Sequence, residues 1–351
     1  MIPFPKDTVE TGEEHRLEEA RLAAWLFERF PELEGEMAVR KFKGGQSNPT
    51  YFIGTRERGF VLRKKPPGKL LPSAHQVERE YRVLKALEDT EVPVARVYAL
   101  EEDDSIIGTP FFLMEHLDGR IFWDPTLPGL SPDEQRDIVN EKIRVLAAIH
   151  SVDLEKTGLK DYGRHGEYVA RQTSRWSKQY EAAKTEEIAA MNALMEYLPA
   201  NLPDRDETTL AHGDYRIDNL IFHPTEPRVI GVIDWELSTL GDPLSDLAYV
   251  LMLYDVVIPN IGGLKHVDFE KSGIPREHEY VARYAELTGR DAITDLAYYK
   301  AFSLFRFASI LQGVYKRSLD GNASNPNAGA FKDAVRDLAE VACELVGIGT
   351  R

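Results

Sequence analysis

The chain has 351 residues, 43% of them hydrophobic, and a formal net charge of −15. That is enough apolar content for a large core divided into two lobes or domains. So acidic a balance excludes a general nucleic-acid binder and attachment to an anionic membrane surface, since both need a basic face.

The single cysteine, Cys343, excludes an intramolecular disulfide and a thiolate metal cluster. In the run AVACELVG it reads as an inert core thiol, in keeping with a reducing cytoplasm. No segment reaches the apolar length of a membrane span, and the N-terminus lacks the basic-then-apolar order of a signal peptide. A cytoplasmic protein without integral membrane association is expected.

In chain order, residues 1–14 are polar and read as loosely held. An amphipathic helix is predicted over 14–30, with Leu22, Trp25, Leu26 and Phe30 on one face and Pro31 ending it. Residues 37–43 alternate like a strand and run into Gly44-Gly45-Gln46-Ser47-Asn48-Pro49; 51–54 and 60–64 read as the next strands. A strand–Gly-turn–strand unit exposes backbone N–H groups that suit phosphates, although Gly-Gly alone marks many ordinary hairpins. In the third strand, alternation puts Val61, Arg63 and Lys65 on one face, and Leu62 and Lys64 on the other.

Ser73-Ala74-His75-Gln76 reads as a capping box opening a helix that runs to about Leu87. Tyr81, Leu84 and Leu87 would face the sheet, with Glu80 near the same side. Strands follow around 95–101 and 106–116, the second leaving through Met114-Glu115-His116-Leu117-Asp118-Gly119.

Ser131-Pro132-Asp133-Glu134 is a second capping box, with Pro at the first helical position. Its helix reaches His150, with Ile138, Val139, Ile143, Leu146 and Ala147 as the core stripe; His150 reads as a packed core or cap residue. Residues 164–198 form one or two helices. On them Arg164, Arg171, Arg175 and Lys178 recur on one face, beside Gln172, Trp176 and Tyr180. A solvated or salt-bridged face is the competing reading of that stripe. Further helices are predicted at 242–253, capped by Asp242, and at 275–288, 292–316 and 330–346. Arg306 lies inside an apolar run and must find a partner or line a cavity.

The chemistry sits in 210–246, LAHGDYRIDNLIFHPTEPRVIGVIDWELSTLGDPLSD. Two short buried strands, 220–222 and 229–233, flank the turn His223-Pro224-Thr225-Glu226-Pro227. Asp214 and Asn219 precede the first strand and Asp234 closes the second, so a hairpin would bring all three to one end. Such hard oxygen donors suit Mg²⁺ and leave one acid free to accept a proton. Phosphoryl transfer from ATP needs that set: a carboxylate orienting the attacking hydroxyl, and an Asn and an Asp holding the metal.

The spacing H-G-D-x-x-x-x-N, followed by I-D-W, resembles the catalytic loop and metal-binding motif of kinase-like phosphotransferases, and most closely the aminoglycoside phosphotransferase family. The resemblance implies an α+β, protein-kinase-like two-lobed fold. Residues 1–114 would form a small antiparallel-sheet N-lobe, 115–119 a hinge, and 120–351 a larger, mainly helical C-lobe, with ATP and Mg²⁺ in the cleft. It implies Asp214 as base, with Asn219 and Asp234 as metal ligands. Gly44, Gly45, Ser47 and Asn48 would cover the phosphates, with Arg63 as the strand cation and Lys64 as the alternative. Glu80 would pair with that cation, Glu78 being the competing choice, and Met114, Glu115 and Leu117 would meet the adenine.

Seven residues separate Asp234 from Asp242, too few for the activation segment of a protein kinase, so the expected acceptor is a small molecule. The runs VLRKKPPGKLLPSAH and IDWELSTLGDPLSD look like the subgroup fused in some organisms to acyl-CoA dehydrogenases. That subgroup is linked to phosphorylation of hydroxylated acyl-CoA thioesters. With no room for a dehydrogenase domain, a stand-alone form is expected. Arg171, Arg175, Trp176 and Arg306 are the expected acceptor residues, which favours an anionic acceptor such as a hydroxyacyl-CoA. An aminoglycoside or other amino or sugar-alcohol kinase remains open as an alternative. So does a non-catalytic pseudokinase, against which the intact Asp214, Asn219 and Asp234 argue.

Overall fold

Alternating apolar residues in the first third of the chain build one antiparallel sheet. The computed structural model describes residues 3–33, 35–43, 48–66, 76–321, 329 and 331–349. It divides into one unit of residues 1–119 with 230–236, and a second of 120–229 with 237–351.

In the first unit the elements run β1 (Thr8–Val9), α1 (Glu19–Arg29), β2 (Ala38–Phe42), β3 (Thr50–Gly54), β4 (Gly59–Lys64), α2 (Val77–Leu87), β5 (Val97–Glu101) and β6 (Phe111–Glu115). The strand order is β1-β2-β3-β4-β6-β5. One face of the sheet contributes Tyr51, Ile53, Phe60, Leu62, Phe111 and Leu113 to a core shared with Leu22, Trp25 and Leu26 of α1. Each such side chain, fully buried, stabilises the unit by roughly 1.5–3 kcal/mol. Trp25 also anchors α1 through its Nε1–H, donated to Glu101 Oε2 at 2.6 Å. Truncating Trp25 to Ala would cost this face about 3–5 kcal/mol.

Three expectations are corrected. Residues 1–14 are not loose throughout, since Thr8 and Val9 pair with Phe42 and Lys41 of β2. The first helix starts at Glu19, after a 3-10 turn at Glu13–His15. The strand expected from 106 begins at Phe111, because Gly108, at φ 82°, turns the chain where only glycine is unstrained. The Ser73 capping box lies outside the described residues.

In the second unit follow α3 (Pro132–His150), α4 (Tyr168–Ala183), α5 (Ala189–Ala200), β7 (Thr209–Ala211), β8 (Leu220–Phe222), β9 (Val229–Val232), β10 (Thr239–Gly241), α6 (Pro243–Leu251), α7 (Glu277–Leu287), α8 (Leu296–Leu319) and α9 (Phe331–Leu345). β9 begins here and continues into the first unit. The Ser131 capping box forms as expected, with Ser131 Oγ accepting from Glu134 N and Glu134 Oε2 accepting from Ser131 N. α8 is buried on nearly every side and packs against α9, α6 and α4. Its one buried lysine, Lys300, is neutralised by Asp255 at 2.6 Å and Glu277 at 2.7 Å. β7 and β10 pair antiparallel and frame the segment that carries the chemistry. Among the described residues no helix is long and apolar enough to cross a membrane.

Candidate active site

In the first unit, the α1 core covers the Leu62 face of β4 and leaves the Arg63 face to α2. Arg63 is 8% exposed and Glu80 3%. Arg63 Nε lies 2.9 Å from Glu80 Oε2, while its Nη2 lies 2.6 Å from Asp234 Oδ1 and 3.7 Å from Glu236 Oε2. A planar guanidinium faces the two carboxylates through separate nitrogens held in a fixed fork, a geometry that an ammonium does not have. Lys65 instead pairs with Glu78, and Lys64 points to the other face, where burial lowers its ammonium pKa.

Burial works against the Arg63 charge, but Glu80, Asp234 and Glu236 outweigh it and hold the guanidinium more firmly protonated. Burial also pushes the Glu80 carboxyl up, to about 7, against the pull of Arg63 and with a further push from Asp234 and Glu236. Asp234 sits at φ 66°, in the left-handed region that Asp tolerates better than most residues.

Asn48, expected over the phosphates, is buried, and its Nδ2 donates to Glu236 Oε2 at 3.2 Å. Gly44, Gly45 and Ser47 lie outside the described residues. At the end of β6, the Glu115 N–H donates to the Arg96 carbonyl at 2.8 Å. Met114 is half-buried in the strand, opposite Val61. Leu117 lies so close to Gly231 that an added Cβ there would be 2.3 Å from its Cδ1.

In the second unit, the H-G-D loop is gripped through its backbone. Gly213 turns at φ 83°, where a Cβ would be 2.6 Å from the Leu237 carbonyl oxygen, so glycine is required. Asp246, 1% exposed on α6, accepts from His212 N at 2.6 Å and Gly213 N at 3.0 Å. Its other neighbour, His150 Nε2, is 3.5 Å away, and His150 Nδ1 lies 2.6 Å from Tyr284 Oη. Burial would raise the Asp246 pKa; the contacts with His150 and His212 overcome it and hold the carboxyl below its usual range.

On the Gly213 carbonyl side, Arg306 Nη2 donates at 2.7 Å. The Arg306 guanidinium carbon lies 5.8 Å from the Trp176 ring and 5.5 Å from the Tyr249 ring. The cation buried in an apolar helix has thus found a carbonyl and two aromatic faces.

Asp214 itself accepts from Tyr249 Oη at 2.7 Å on Oδ1, with Arg216 Nε 3.5 Å from the same oxygen. Asn219 Nδ2 donates to the Asp214 backbone carbonyl at 2.9 Å and to Oδ2 at 3.3 Å. With its NH₂ turned inward, the Asn219 amide directs Oδ1 away from Asp214, as a ligand for a hard cation must.

The basic stripe is only partly gathered. Arg175 stacks beside Trp176 at 5.5 Å and is exposed with Lys178, whereas Arg171 Nη2 donates to the Arg164 carbonyl at 3.1 Å. Sequence reasoning missed Asp246, Tyr249, Arg216 and Glu236. The Asp246–Tyr249 spacing, one helical turn, was the available signal for the first two.

A sheet unit carrying a buried Arg–Glu pair and a helical unit carrying the H-G-D-x-x-x-x-N loop define a kinase-like phosphotransferase. A family model described as "Phosphotransferase enzyme family" matches residues 38–280. The chain belongs to this family, and it is a small-molecule kinase.

Among curated proteins it is 50% identical over 313 residues to acyl-CoA dehydrogenase family member 10 of Mus musculus, covering 89% of this chain and 29% of that protein. It is 42% identical over 349 residues to family member 11 of Homo sapiens, covering 97% of this chain and 44% of that one. The chain therefore spans less than half the length of these relatives.

A solved structure from Ralstonia eutropha JMP134, described as a candidate aminoglycoside phosphotransferase, superposes with a TM-score of 0.87 at 45% identity, over 95% of this chain and 99% of that one. Aminoglycoside phosphotransferase APH(4)-Ia, solved as a ternary complex with AMP-PNP and hygromycin B, gives a TM-score of 0.61 at 16% identity, over 92% of this chain and 98% of that one. The second likeness speaks for the fold alone.

Proposed function

We propose that this kinase transfers the γ-phosphoryl group of ATP, with Mg²⁺, to a hydroxyl of an anionic small molecule, with a hydroxyacyl-CoA as the leading candidate. The observation that carries the acceptor class is the approach of α4 to the catalytic loop. Trp176 of α4 stacks on Arg306, and Arg306 holds the carbonyl next to Asp214. The helix that reaches the loop carries Arg171, Arg175 and Lys178, charges that attract phosphate or carboxylate and repel a polycationic aminoglycoside.

Asp214 orients the acceptor hydroxyl and takes its proton. Arg63, fixed by Glu80, faces the nucleotide phosphates, with Met114, Glu115 and Leu117 beside the base. Among the described residues no group of three or more His, Cys, Asp or Glu side chains gathers as a metal nest. Asn219 and Asp234 would hold the Mg²⁺ ion, since an amide oxygen and a carboxylate are the hard donors it takes. When bound, the ion supplies neutralisation of charge on the β- and γ-phosphates.

AMP-PNP in the APH(4)-Ia complex and the names of the long relatives support the nucleotide and the acyl-CoA acceptor, respectively. The net charge of −15 and the buried Cys343 support a cytoplasmic protein that does not act on nucleic acid.

The test is the double variant Arg171→Ala, Arg175→Ala. It should raise the acceptor KM strongly and leave the ATP KM nearly unchanged. Equal effects on both, or none, would remove the anionic-acceptor reading.

A further inference from the structure

Asp214 has two carboxylate oxygens in unequal surroundings. Oδ1 accepts a short hydrogen bond from Tyr249 Oη, 2.7 Å, and faces Arg216 Nε at 3.5 Å. Among the described residues, Oδ2 meets only the longer contact from Asn219 Nδ2, 3.3 Å. A hydrogen bond to a charged acceptor is among the stronger side-chain contacts, and it fixes the carboxylate plane.

Tyr249 is itself immobilised. It is 4% exposed, and its ring lies against Arg306 at 5.5 Å and Phe307 at 6.2 Å. It sits on the helix whose Asp246 holds His212 and Gly213, so α6 grips the loop both by its backbone and by its reacting side chain. Burial first, and then the Asp214 charge, keep the Tyr249 hydroxyl far above its ordinary pKa, so it remains a donor at any working pH.

We propose that Tyr249 is a positioning residue: it fixes the Asp214 carboxylate through Oδ1 and leaves Oδ2 as the oxygen that receives the acceptor's proton. This rests on Asp214 being the base of the proposed function. The acceptor oxygen bonds to the γ-phosphorus of the nucleoside triphosphate as the bond from that phosphorus to the β,γ-bridging oxygen breaks. The electron pair leaves with the nucleoside diphosphate, and the hydroxyl proton ends on Asp214 Oδ2. Tyr249 exchanges no proton.

The experiment compares Tyr249→Phe with Asp214→Asn in the full chain. The Phe ring keeps the packing against Arg306 and Phe307 and removes only the hydroxyl. The expected result for Tyr249→Phe is a kcat lowered roughly ten- to a hundredfold with both KM values unchanged, whatever the loss of one buried hydrogen bond does to the melting temperature. A purely structural role would instead lower the melting temperature and leave the kcat of the folded enzyme unchanged. Wild-type kcat in Tyr249→Phe, with Asp214→Asn inactive, overturns the proposal and leaves Asp214 as base. Wild-type turnover in Asp214→Asn overturns the base assignment itself. A crystal structure of the Phe variant gives a second readout: Asp214 turns out of its present orientation if Tyr249 sets it, and stays if it does not.

Discussion

Arg63→Lys is the sharpest test of the phosphate cation, because it keeps the charge and removes the fork. The guanidinium reaches Glu80 at 2.9 Å through Nε and Asp234 at 2.6 Å through Nη2. A lysine ammonium carries all its donors on one atom and cannot reproduce the separate Nε and Nη2 contacts to Glu80 and Asp234. Losing one charged hydrogen bond in a site this buried costs about 1.5–3 kcal/mol, which is roughly ten- to a hundredfold in affinity. The damage to folding is limited, since Glu80, already near a pKa of about 7, can take up a proton when its partner weakens. Nucleotide affinity measured by calorimetry for Arg63→Lys, beside Lys64→Ala, should fall by that factor in the first and little in the second. Unchanged affinity in Arg63→Lys together with a large loss in Lys64→Ala would refute the assignment and make Lys64 the phosphate cation.

Two further predictions concern the same cluster. Asp234→Asn should weaken Mg²⁺-dependent nucleotide binding, because a neutral amide replaces a charged hard ligand; a titration with unchanged Mg·ATP affinity and unchanged turnover would remove Asp234 from the metal site. Glu80 makes stability pH-dependent. Its carboxyl is raised from 4.5 to about 7 in the folded protein, so its contribution is fully present below 4.5 and is lost as pH rises through about 7. The size is on the order of 3 kcal/mol. In thermal melts of nucleotide-free protein, Glu80→Gln should therefore gain on the wild type between about pH 5 and pH 8; parallel melting curves would contradict the buried, proton-retaining Glu80.

Local signals in the sequence carried the strands, the long helices and the H-G-D-x-x-x-x-N loop, because period-two alternation, the Ser131 box and the motif are all read within a few residues. Alternation also put Arg63 and Lys64 on opposite faces of β4, but not which face meets α2. That needed the α1 core, which covers the Leu62 side. The contacts that hold Asp214 were not legible, since Tyr249 lies 35 residues away and Arg306 93 residues from the carbonyl it binds. Such pairs are set by helix packing: the Asp246–Tyr249 spacing marks one face of α6 but not the loop that this face meets. The end of β6 was legible as a strand end, yet the capture of the Glu115 N–H by Arg96 depends on pairing with β5 and has no local mark. Arg306 was flagged correctly as a buried charge in need of a partner. That the partner is the Gly213 carbonyl makes it a holder of the catalytic loop as well as an expected acceptor contact.

The measurement that bears most directly on the central claim is phosphate transfer from Mg·ATP to a 4-hydroxyacyl-CoA and to kanamycin under one set of conditions, with wild type and Asp214→Ala side by side. Efficient transfer to the thioester and little to the amine is expected, with kcat lowered on the order of 10²–10⁴-fold in Asp214→Ala, a usual general-base contribution. Efficient transfer to kanamycin with none to the thioester would contradict the acceptor class and reduce the arginines of α4 to a solvated face, and near-native turnover in Asp214→Ala would contradict the site itself.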